Sequence, residues 1–362
     1  MIERIWKKVL RRKGLGVWSI PALILRVLSW GFRLGYVIRK KQTIVPFRAT
    51  VPVISIGNIT VGGTGKTPLV EFIARFLERD GIRVGVISSG YGRESQESFV
   101  AVGHDVARMH VDKTGDEVML LAHLLPHTLF SVHPIKAEAA RLLAATGKVD
   151  VMIVDDGFQH RGLARDIDIV AFDGAIRRSW WHTFPYGVMR EPFDALSRSG
   201  VVIITRSNFA RELVQLRKKI QSAAPKARHY QAKFSISGVI GRDRRWPVKF
   251  LEDKSVFLFA GIGNFRSFRK QVESLAANVH HAMELSDHQR YDEKLLVKIR
   301  DMANESDSDI IVTTFKDWVK LGNFDFGRDV CYLSQSIDLD PGEEKLIAYI
   351  ESALSLRRKA RA

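Results

Sequence analysis

The sequence predicts an α/β protein whose mostly parallel sheet is covered by helices on both faces. Short continuous apolar runs rich in Val and Ile alternate along the chain with segments whose apolar residues recur at helical spacing. Strands that are apolar throughout are typical of a parallel sheet buried on both sides. The 362 residues are 46% hydrophobic and 27% charged, which suits about two folded domains and excludes disorder as the dominant state.

The first part of the chain supplies most of the predicted sheet. An apolar run ends in Gly57-Asn58 and is followed by a glycine-rich loop and a helix, which has Pro68 in its first turn, where the missing N–H costs nothing. The predicted strands span residues 51–56, 83–88, 129–132, 149–154, 167–172 and 200–205. The predicted helices between them span residues 68–77, 118–125 and 137–146.

Residues 231–254 interrupt this alternation, and we expect a charged, irregular stretch there. A second α/β set follows, with strands at 255–260 and 309–313 and helices near 268–277, 292–303 and 343–356. The predicted organisation is therefore a basic, hydrophobic segment over 1–50, a main α/β domain over 51–235 and a smaller α/β domain over 236–362, which ends in a basic tail.

The net charge of +16 lies at the two ends of the chain. Residues 1–50 contain 12 Lys and Arg against Glu3 alone, and the last six residues add four more basic side chains. The long body between them is almost neutral, whereas a nucleic-acid-binding protein carries its positive charge on the binding face. We therefore expect no nucleic-acid partner. The lone Cys331 excludes an internal disulfide, fits a reducing compartment and is expected to be buried.

Residues 17–38 form an apolar stretch long enough to span a bilayer, but Arg26 and Arg33 interrupt it. A charged side chain at the bilayer centre costs about 2.5–3.5 kcal/mol on insertion scales, which disfavours a clean span. A helix lying in the interface, with Trp18, Trp30 and Phe32 at headgroup level, lets both arginines reach water. The remaining alternative is an amphipathic helix packed on the protein's own core. A cleavable signal is not evident.

The strongest chemical signal is the loop between the first strand and the first helix of the sheet. Its glycines allow backbone N–H groups to converge on an anion at the helix N-terminus. A lysine at its end can reach the β- and γ-phosphates of a nucleotide, and the next hydroxyl can ligate Mg²⁺. The strict motif has Gly at the first position, where this chain has Thr; a glycine-rich turn with a coincidental Lys-Thr is the alternative. The predicted phosphate-binding residues are Thr60, Val61, Gly62, Gly63, Thr64, Gly65, Lys66 and Thr67.

A second strand supplies the acidic partner of this loop. Asp155 and Asp156 end the apolar run 149–154, and carboxylates at the end of a neighbouring parallel strand can hold Mg²⁺ opposite the loop threonine. A plain turn before Gly157 is the alternative.

Four further positions are ambiguous when taken singly. Asp116 can be a helix N-cap, His288 a solvated histidine, Lys316 a surface lysine, and Arg190-Glu191 a solvated loop pair.

Taken together, the motifs resemble one family, the tetraacyldisaccharide 4'-kinases of lipid A biosynthesis in Gram-negative bacteria. The motifs that carry the resemblance are, in chain order, Ile56-Gly-Asn-Ile-Thr-Val-Gly-Gly-Thr-Gly-Lys-Thr-Pro68, Gly115-Asp-Glu117, Val154-Asp-Asp-Gly-Phe-Gln-His160, Arg190-Glu-Pro192, Ala260-Gly-Ile-Gly-Asn264, Ser286-Asp-His288 and Thr313-Thr-Phe-Lys-Asp317. The resemblance covers about residues 15–350, and Thr60 is in keeping with it. One departure is Ser89, where the family usually has Arg.

The resemblance implies a P-loop NTPase-like fold and a lipid kinase activity. The family transfers the γ-phosphate of ATP to the 4'-hydroxyl of an acylated glucosamine disaccharide 1-phosphate. It implies ATP and Mg²⁺ as cofactors and membrane lipids as partners, with no obligatory protein partner evident. It also implies a peripheral or monotopic protein of the inner (cytoplasmic) membrane, with its active site on the cytoplasmic face.

The resemblance also implies roles for single residues. Asp116 accepts the proton of the sugar hydroxyl with the help of His288, and Lys66 holds the β- and γ-phosphates. Thr67, Asp155 and Asp156 organise Mg²⁺. Arg190 lies by the phosphates, and Glu191 lies by the metal.

Two alternatives belong to other classes of protein. A P-loop switch or metal-delivery NTPase would hydrolyse nucleotide to drive a protein partner. A membrane-peripheral nucleotide-binding module would perform no chemistry at all.

Overall fold

The computed structural model describes Trp6 and residues 19–41, 44–287 and 289–359. Within these residues, thirteen strands form one sheet in the order β11-β10-β12-β13-β8-β7-β6-β1-β5-β2-β4-β3, with β9 paired to β8 alone. The strands are β1 (Val53–Asn58), β2 (Val84–Ser88), β3 (Phe99–Val102), β4 (Leu129–Val132), β5 (Val151–Asp155), β6 (Ile167–Asp173), β7 (Val201–Thr205), β8 (Arg228–Ile240), β9 (Arg245–Trp246), β10 (Ser255–Ala260), β11 (Asn278–Glu284), β12 (Ile310–Thr313) and β13 (Val330–Asp340).

Helices precede the sheet and connect its strands. They are α1 (Ser19–Lys41), α2 (Lys66–Arg79), α3 (Gly103–Val106), α4 (Val111–Thr114), α5 (Asp116–Leu124), α6 (Lys136–Ala145), α7 (Leu213–Ala223), α8 (Phe265–Glu273), α9 (Glu293–Glu305), α10 (Phe315–Trp318) and α11 (Glu343–Lys359). Buried side chains line both faces of the sheet: Ile54 and Ile56 of β1 pack in one core cluster, and Val53 packs in another on the opposite face. The predicted α/β class with a mostly parallel sheet is therefore confirmed.

The sheet consists of two parallel blocks joined by one antiparallel pairing. Strands β4, β2, β5, β1, β6, β7 and β8 are parallel neighbours, and so are β11, β10, β12 and β13. Strands β8 and β13 run antiparallel over residues 231–240 and 332–340 and connect the blocks. The expected domain boundary at 235/236 lies inside β8.

The expectation of an irregular stretch over 231–254 was wrong for its first ten residues, which belong to β8. Tyr230, Ala232 and Phe234 are buried and alternate with exposed or half-buried neighbours. This period of two is typical of an antiparallel strand with one covered face. The polar residues Gln231, Lys233 and Ser235 of this strand occupy the other face.

Besides β8, four strands and four helices escaped the sequence analysis, namely β3, β9, β11, β13, α3, α4, α7 and α10. β3 and β11 are edge strands with little burial; β11 lacks a continuous apolar run, and the apolar run of β3 is only four residues long. β13 contains Cys331, which is fully buried as expected.

Helix α1 includes the one stretch of the described residues, 20–38, that is long and apolar enough to cross a membrane by length and composition. It contacts the rest of the protein along a narrow stripe: Ala22 and Ser29 are buried, and the Ser29 hydroxyl donates to the carbonyl of Thr183 at 3.0 Å. Leu25 and Phe32 are half-buried. Nine further large apolar side chains are exposed: Ile20, Leu23, Ile24, Val27, Leu28, Trp30, Leu34, Val37 and Ile38. Most of the helix is therefore not packed on the protein's own core. Trp18 and residues 360–362 of the basic tail lie outside the described residues.

Candidate active site

The glycine-rich loop connects β1 to α2, as the sequence predicts. Gly62 and Gly65 have φ values of 95° and 76°, which glycine adopts without strain. Gly65 is the N-cap of α2, and a Cβ atom there would lie 2.8 Å from a ring carbon of Phe234. Both the conformation and the space at this position therefore require glycine, and the free N–H groups of the first helical turn form an anion site.

Hydrogen bonds from neighbouring strands hold the loop in this shape. The Asn58 side-chain amide donates to the Thr64 hydroxyl at 3.0 Å, and the Thr205 hydroxyl donates to the Thr64 carbonyl at 2.7 Å. Arg206 donates to the carbonyl of Gly63 at 2.9 Å. Contacts within the protein therefore fix the shape of the loop.

The segment that contains Arg190 and Glu191 is bound to the first half of the loop. The amide of Val61 donates to the carbonyl of Val188 at 2.7 Å, and the amides of Arg190 and Glu191 donate to the carbonyl of Ile59 at 2.7 and 3.3 Å. These backbone bonds place both side chains beside the phosphate loop, although the two segments are far apart in the sequence.

The two side chains then point to different partners. Arg190 contacts the Asp156 carboxylate, with Nη1 and Oδ2 3.1 Å apart. Glu191 is buried and accepts a hydrogen bond from Arg198 at 2.9 Å. Arg190 therefore faces the strand-end aspartates, whereas Glu191 is engaged by a cation that the sequence analysis did not identify.

The aspartate pair lies at the end of β5, opposite the loop lysine. Asp155 is buried, and Asp156 turns the chain with a φ of 51°. The Lys66 Nζ lies 3.2 Å from Asp156 Oδ1. Burial raises the pKa of Asp156, but the charges of Lys66, Lys136 and Arg190 outweigh burial and lower the pKa to about 2. Asp156 is therefore an anion fixed between cations.

Lys136 is a site residue that sequence reasoning missed. It begins α6 directly beyond β4, is 2% exposed, and donates from Nζ to the carbonyl of Asp156 at 2.7 Å and to the carbonyl of Asp155. Lys136 follows the predicted strand 129–132, so its position at the carboxyl edge of the predicted sheet could have identified it as a site residue. Lys136 holds the backbone of both aspartates.

The environment of Asp155 differs from that of its neighbour. Burial, followed by the nearby carboxylate of Glu117, raises the pKa of Asp155 to about 7, against the opposing charges of Lys136 and Lys66. Glu117 is the second residue of α5, so the start of this helix lies close to the aspartate pair. Asp116, which the sequence analysis gave as the acceptor of the hydroxyl proton, is the first residue of the same helix.

Asp116 lies where the two parallel blocks face each other. Gly115 before it has a φ of 82°, and a Cβ there would lie 2.8 Å from the carbonyl oxygen of Tyr91. Asp116 Oδ2 is 2.8 Å from Nζ of Lys320, from the second block, and 3.9 Å from Nζ of Lys316. His288 lies outside the described residues.

A cavity of about 920 Å³ opens beside Asp116 between the two blocks. Tyr91 and His110 line it from the first block, and Arg290 and Lys320 line it from the second. The guanidinium of Arg290 also pairs across the gap with Glu94 and, at 3.4 Å, with Asp112. The cavity therefore combines three carboxylates, Asp112, Asp116 and Asp292, with several cations.

The described residues contain no group of three or more His, Cys, Asp and Glu side chains placed to hold a metal ion by themselves. A Mg²⁺ ion in a phosphate-loop enzyme takes one or two carboxylates and fills its remaining positions with phosphates and water. The buried carboxylate of Asp155, its neighbour Asp156 and the half-buried Thr67 hydroxyl fit that donor set.

A phosphate loop that faces strand-end aspartates, on a parallel sheet with helices on both faces, defines a P-loop NTPase-like protein. Comparison with known proteins then identifies the family. A model of the LpxK family, tetraacyldisaccharide-1-P 4'-kinase, matches residues 21–355. The chain belongs to this family of kinases.

Individual relatives agree with that assignment. The tetraacyldisaccharide 4'-kinase of Syntrophus aciditrophicus is 33% identical over an alignment of 364 positions, which covers 94% of each chain. That of Pelobacter propionicus is 34% identical, over 84% of this chain and 85% of the relative. A crystal structure of LpxK from Aquifex aeolicus in complex with ATP matches with a TM-score of 0.72 and 26% identity, covering 92% of this chain and 99% of the other.

Proposed function

We propose that the protein transfers the γ-phosphoryl group of ATP to the 4'-hydroxyl of an acylated glucosamine disaccharide 1-phosphate. The hydroxyl oxygen forms a bond to the γ-phosphorus, the bond from that phosphorus to the bridging oxygen breaks, and ADP leaves. The observation that carries this proposal is the placement of the phosphate loop, the aspartate pair and Asp116 around one edge of the sheet, in a chain that matches the kinase family over nearly its whole length.

Binding of the nucleotide phosphates falls to the loop between β1 and α2. The N–H groups of the first turn of α2 and the Lys66 ammonium supply positive potential. Lys66 is paired with Asp156 at 3.2 Å, within reach of the anion site. Phosphoryl transfer depends mainly on such positioning and charge stabilisation, and the loop supplies both to the phosphates.

Asp155, Asp156 and Thr67 are the residues that would hold Mg²⁺. When bound, the ion neutralises negative charge on the phosphates. The chain's own contribution is to fix the two carboxylates: Lys136 anchors their backbone, and Lys66 and Arg190 hold the Asp156 side chain. Arg190 lies next to the loop and so adds a cation beside the phosphates.

The proton of the attacking hydroxyl goes to Asp116. Its carboxylate lies at the rim of the cavity between the blocks, where an acceptor sugar has access. His288 is proposed to assist, and the two residues belong to the proposed domains 51–235 and 236–362. Closure of the domains would then assemble the pair and exclude water that would otherwise hydrolyse ATP.

His288→Ala is expected to lower turnover far more than it weakens ATP binding; equal losses of both would refute that role.

The acylated acceptor requires access to a membrane, and α1 provides the surface for it. A neighbouring segment contacts α1 through Thr183 and Phe184. The same segment contains Arg177 and Arg178, and both are exposed. Basic side chains near an anionic surface contribute about 1 kcal/mol each. We propose peripheral or monotopic binding to the cytoplasmic face of the inner membrane.

The activity is tested with Mg-ATP labelled at the γ-phosphate and the tetraacyldisaccharide 1-phosphate in detergent. Wild type is run beside Lys66→Ala and Asp116→Ala, with the exposed Lys148→Ala as a control. Label on the lipid with wild type and the control alone supports the proposal. Hydrolysis of ATP without labelled lipid would instead favour a switch NTPase.

Membrane binding is tested separately by flotation with vesicles that contain phosphatidylglycerol. Leu23→Gln combined with Leu28→Gln makes the exposed face of α1 polar, and Val214→Gln alters an equally exposed residue of α7. We expect the α1 variant to lose flotation and the Val214 variant to retain it. Equal flotation of all three proteins would refute the role of α1.

A further inference from the structure

Lys320 reaches from the second block to the proposed catalytic base in the first. Its side chain is 6% exposed and that of Asp116 is 12% exposed, and the Lys320 Nζ lies 2.8 Å from Asp116 Oδ2. The same ammonium lies 3.5 Å from the carbonyl oxygen of Gln289. Gln289 follows His288 directly, so one cation contacts both the base and the loop that contains the proposed partner of that base.

The backbone around Lys320 is rigidly attached to the second block. Asp317 is fully buried; its carboxylate accepts hydrogen bonds from the Gly261 amide at 3.0 Å and the Thr314 hydroxyl at 2.6 Å. The amide of Lys320 donates to the Asp317 carbonyl at 3.0 Å. The backbone from which Lys320 extends is therefore held in place, and its ammonium occupies a defined position.

Lys316 does not duplicate this contact. It lies 3.9 Å from Asp116 but 2.8 Å from Asp287, and its side chain is more exposed than that of Lys320. Lys316 is directed at the loop before His288, whereas Lys320 is directed at the base itself. The two lysines thus have different primary partners.

We propose that Lys320 is a positioning residue for phosphoryl transfer, which holds the Asp116 carboxylate of the first block in a fixed orientation against the second block. This inference rests on the proposed role of Asp116. An ammonium on Oδ2 restricts rotation of the carboxylate and so sets the direction in which Oδ1 points. Because a displacement of about 1 Å in a reacting group can cost about a hundredfold in rate, a fixed carboxylate matters for turnover.

The test uses the full-length protein and the lipid-labelling assay. Lys320→Met removes the charge at similar length and is expected to lower kcat by about 10- to 100-fold, with a change in the KM for ATP of less than about threefold. Lys320→Arg keeps the charge and is expected to recover part of the loss. Lys294→Met, at an exposed position of α9, is the control for loss of a lysine.

A double-mutant cycle separates positioning from a purely structural role. In an Asp116→Asn background, Lys320→Met is expected to leave the residual turnover almost unchanged, because the lysine acts through the carboxylate that has been removed. A full additional loss in that background would overturn the inference, and so would a wild-type kcat in Lys320→Met. If Lys320→Met fails to fold, Lys320→Gln, which also removes the charge, replaces it in the cycle, with the same criteria.

Failure of the inference differs from failure of the proposed function. If the wild-type protein transfers no label to the lipid, the proposed function is overturned, and the inference with it. If the wild-type protein transfers label and the cycle is additive, the inference alone is overturned.

Discussion

Replacement of Lys136 by Met tests how the strand-end aspartates are held in place. Lys136 is 2% exposed, and its ammonium donates to two carbonyl oxygens, those of Asp155 and Asp156. Met has a similar volume but no donor, so both carbonyls lose this partner while the packing around the side chain changes little. The perturbation therefore isolates the hydrogen bonds and the charge.

The magnitude follows from those two bonds. Loss of a buried hydrogen-bond partner costs about 1–3 kcal/mol for each group left behind, which gives about 2–6 kcal/mol. Removal of the buried ammonium offsets part of this cost, because burial disfavours the charged form of Lys136 and lowers its pKa. We expect a net destabilisation of about 2–4 kcal/mol.

Urea unfolding measures this difference. At a slope of about 3 kcal/mol per molar urea, the midpoint is expected to fall by about 1 M. Lys148→Met replaces an exposed lysine just beyond the same helix and should shift the midpoint by less than about 0.2 M. Nucleotide binding should weaken in the Lys136 variant alone, because its aspartates are displaced. Equal midpoints for the two variants would refute this account of Lys136.

Three further predictions concern other parts of the molecule. Gly57→Ala would place a Cβ 2.6 Å from Phe158 Cβ and 2.7 Å from its backbone N, so it should cost about 1–3 kcal/mol and lower kcat; an unchanged melting temperature would contradict this. Arg290 lowers the pKa of Glu94 by hydrogen bonding and by its charge, so the ion pair persists at neutral pH and is lost as the pH falls through that lowered pKa. Double-mutant analysis of kcat with Glu94→Gln and Arg290→Gln should show coupling at pH 7 in low salt and none in 0.5 M salt, where surface charges are screened; additive effects in low salt would argue against the pair. Cys331→Ala should keep wild-type kcat because the thiol is buried in the sheet, and loss of activity in a protein with a normal melting temperature would show that the thiol has a chemical role.

Local chemistry explains which parts of the site are predictable from sequence. The phosphate loop depends on glycine conformations and on its place between a strand and a helix, and both are properties of about fifteen consecutive residues. The aspartate pair is predictable because the carboxyl ends of parallel strands meet at one edge of a sheet. The roles of Asp116 and His288 came only from the family resemblance, since a single carboxylate before a helix is also a plain N-cap.

The partners of these residues depend on the tertiary structure. Lys136 and Lys320 lie 20 and 204 residues from the groups that they contact, Asp156 and Asp116. Only its place after a predicted strand distinguishes Lys136 from a surface lysine, and nothing in its own segment distinguishes Lys320. Glu191 pairs with Arg198 because a short 3-10 helix returns the chain toward the loop. The two lysine contacts, in contrast, follow from which elements are neighbours in the fold.

The sequence by itself determined the fold class, the phosphate loop, the acidic strand end and the apolar N-terminal helix, because each is encoded by periodicity or by adjacent residues. Only the tertiary structure decided that β8 and β13 join both blocks into one sheet, that buried lysines anchor the aspartates, and that Asp116 faces the second block. These features depend on long-range strand pairing and on the burial of charges against partners distant in sequence, and neither leaves a periodic signal in the chain.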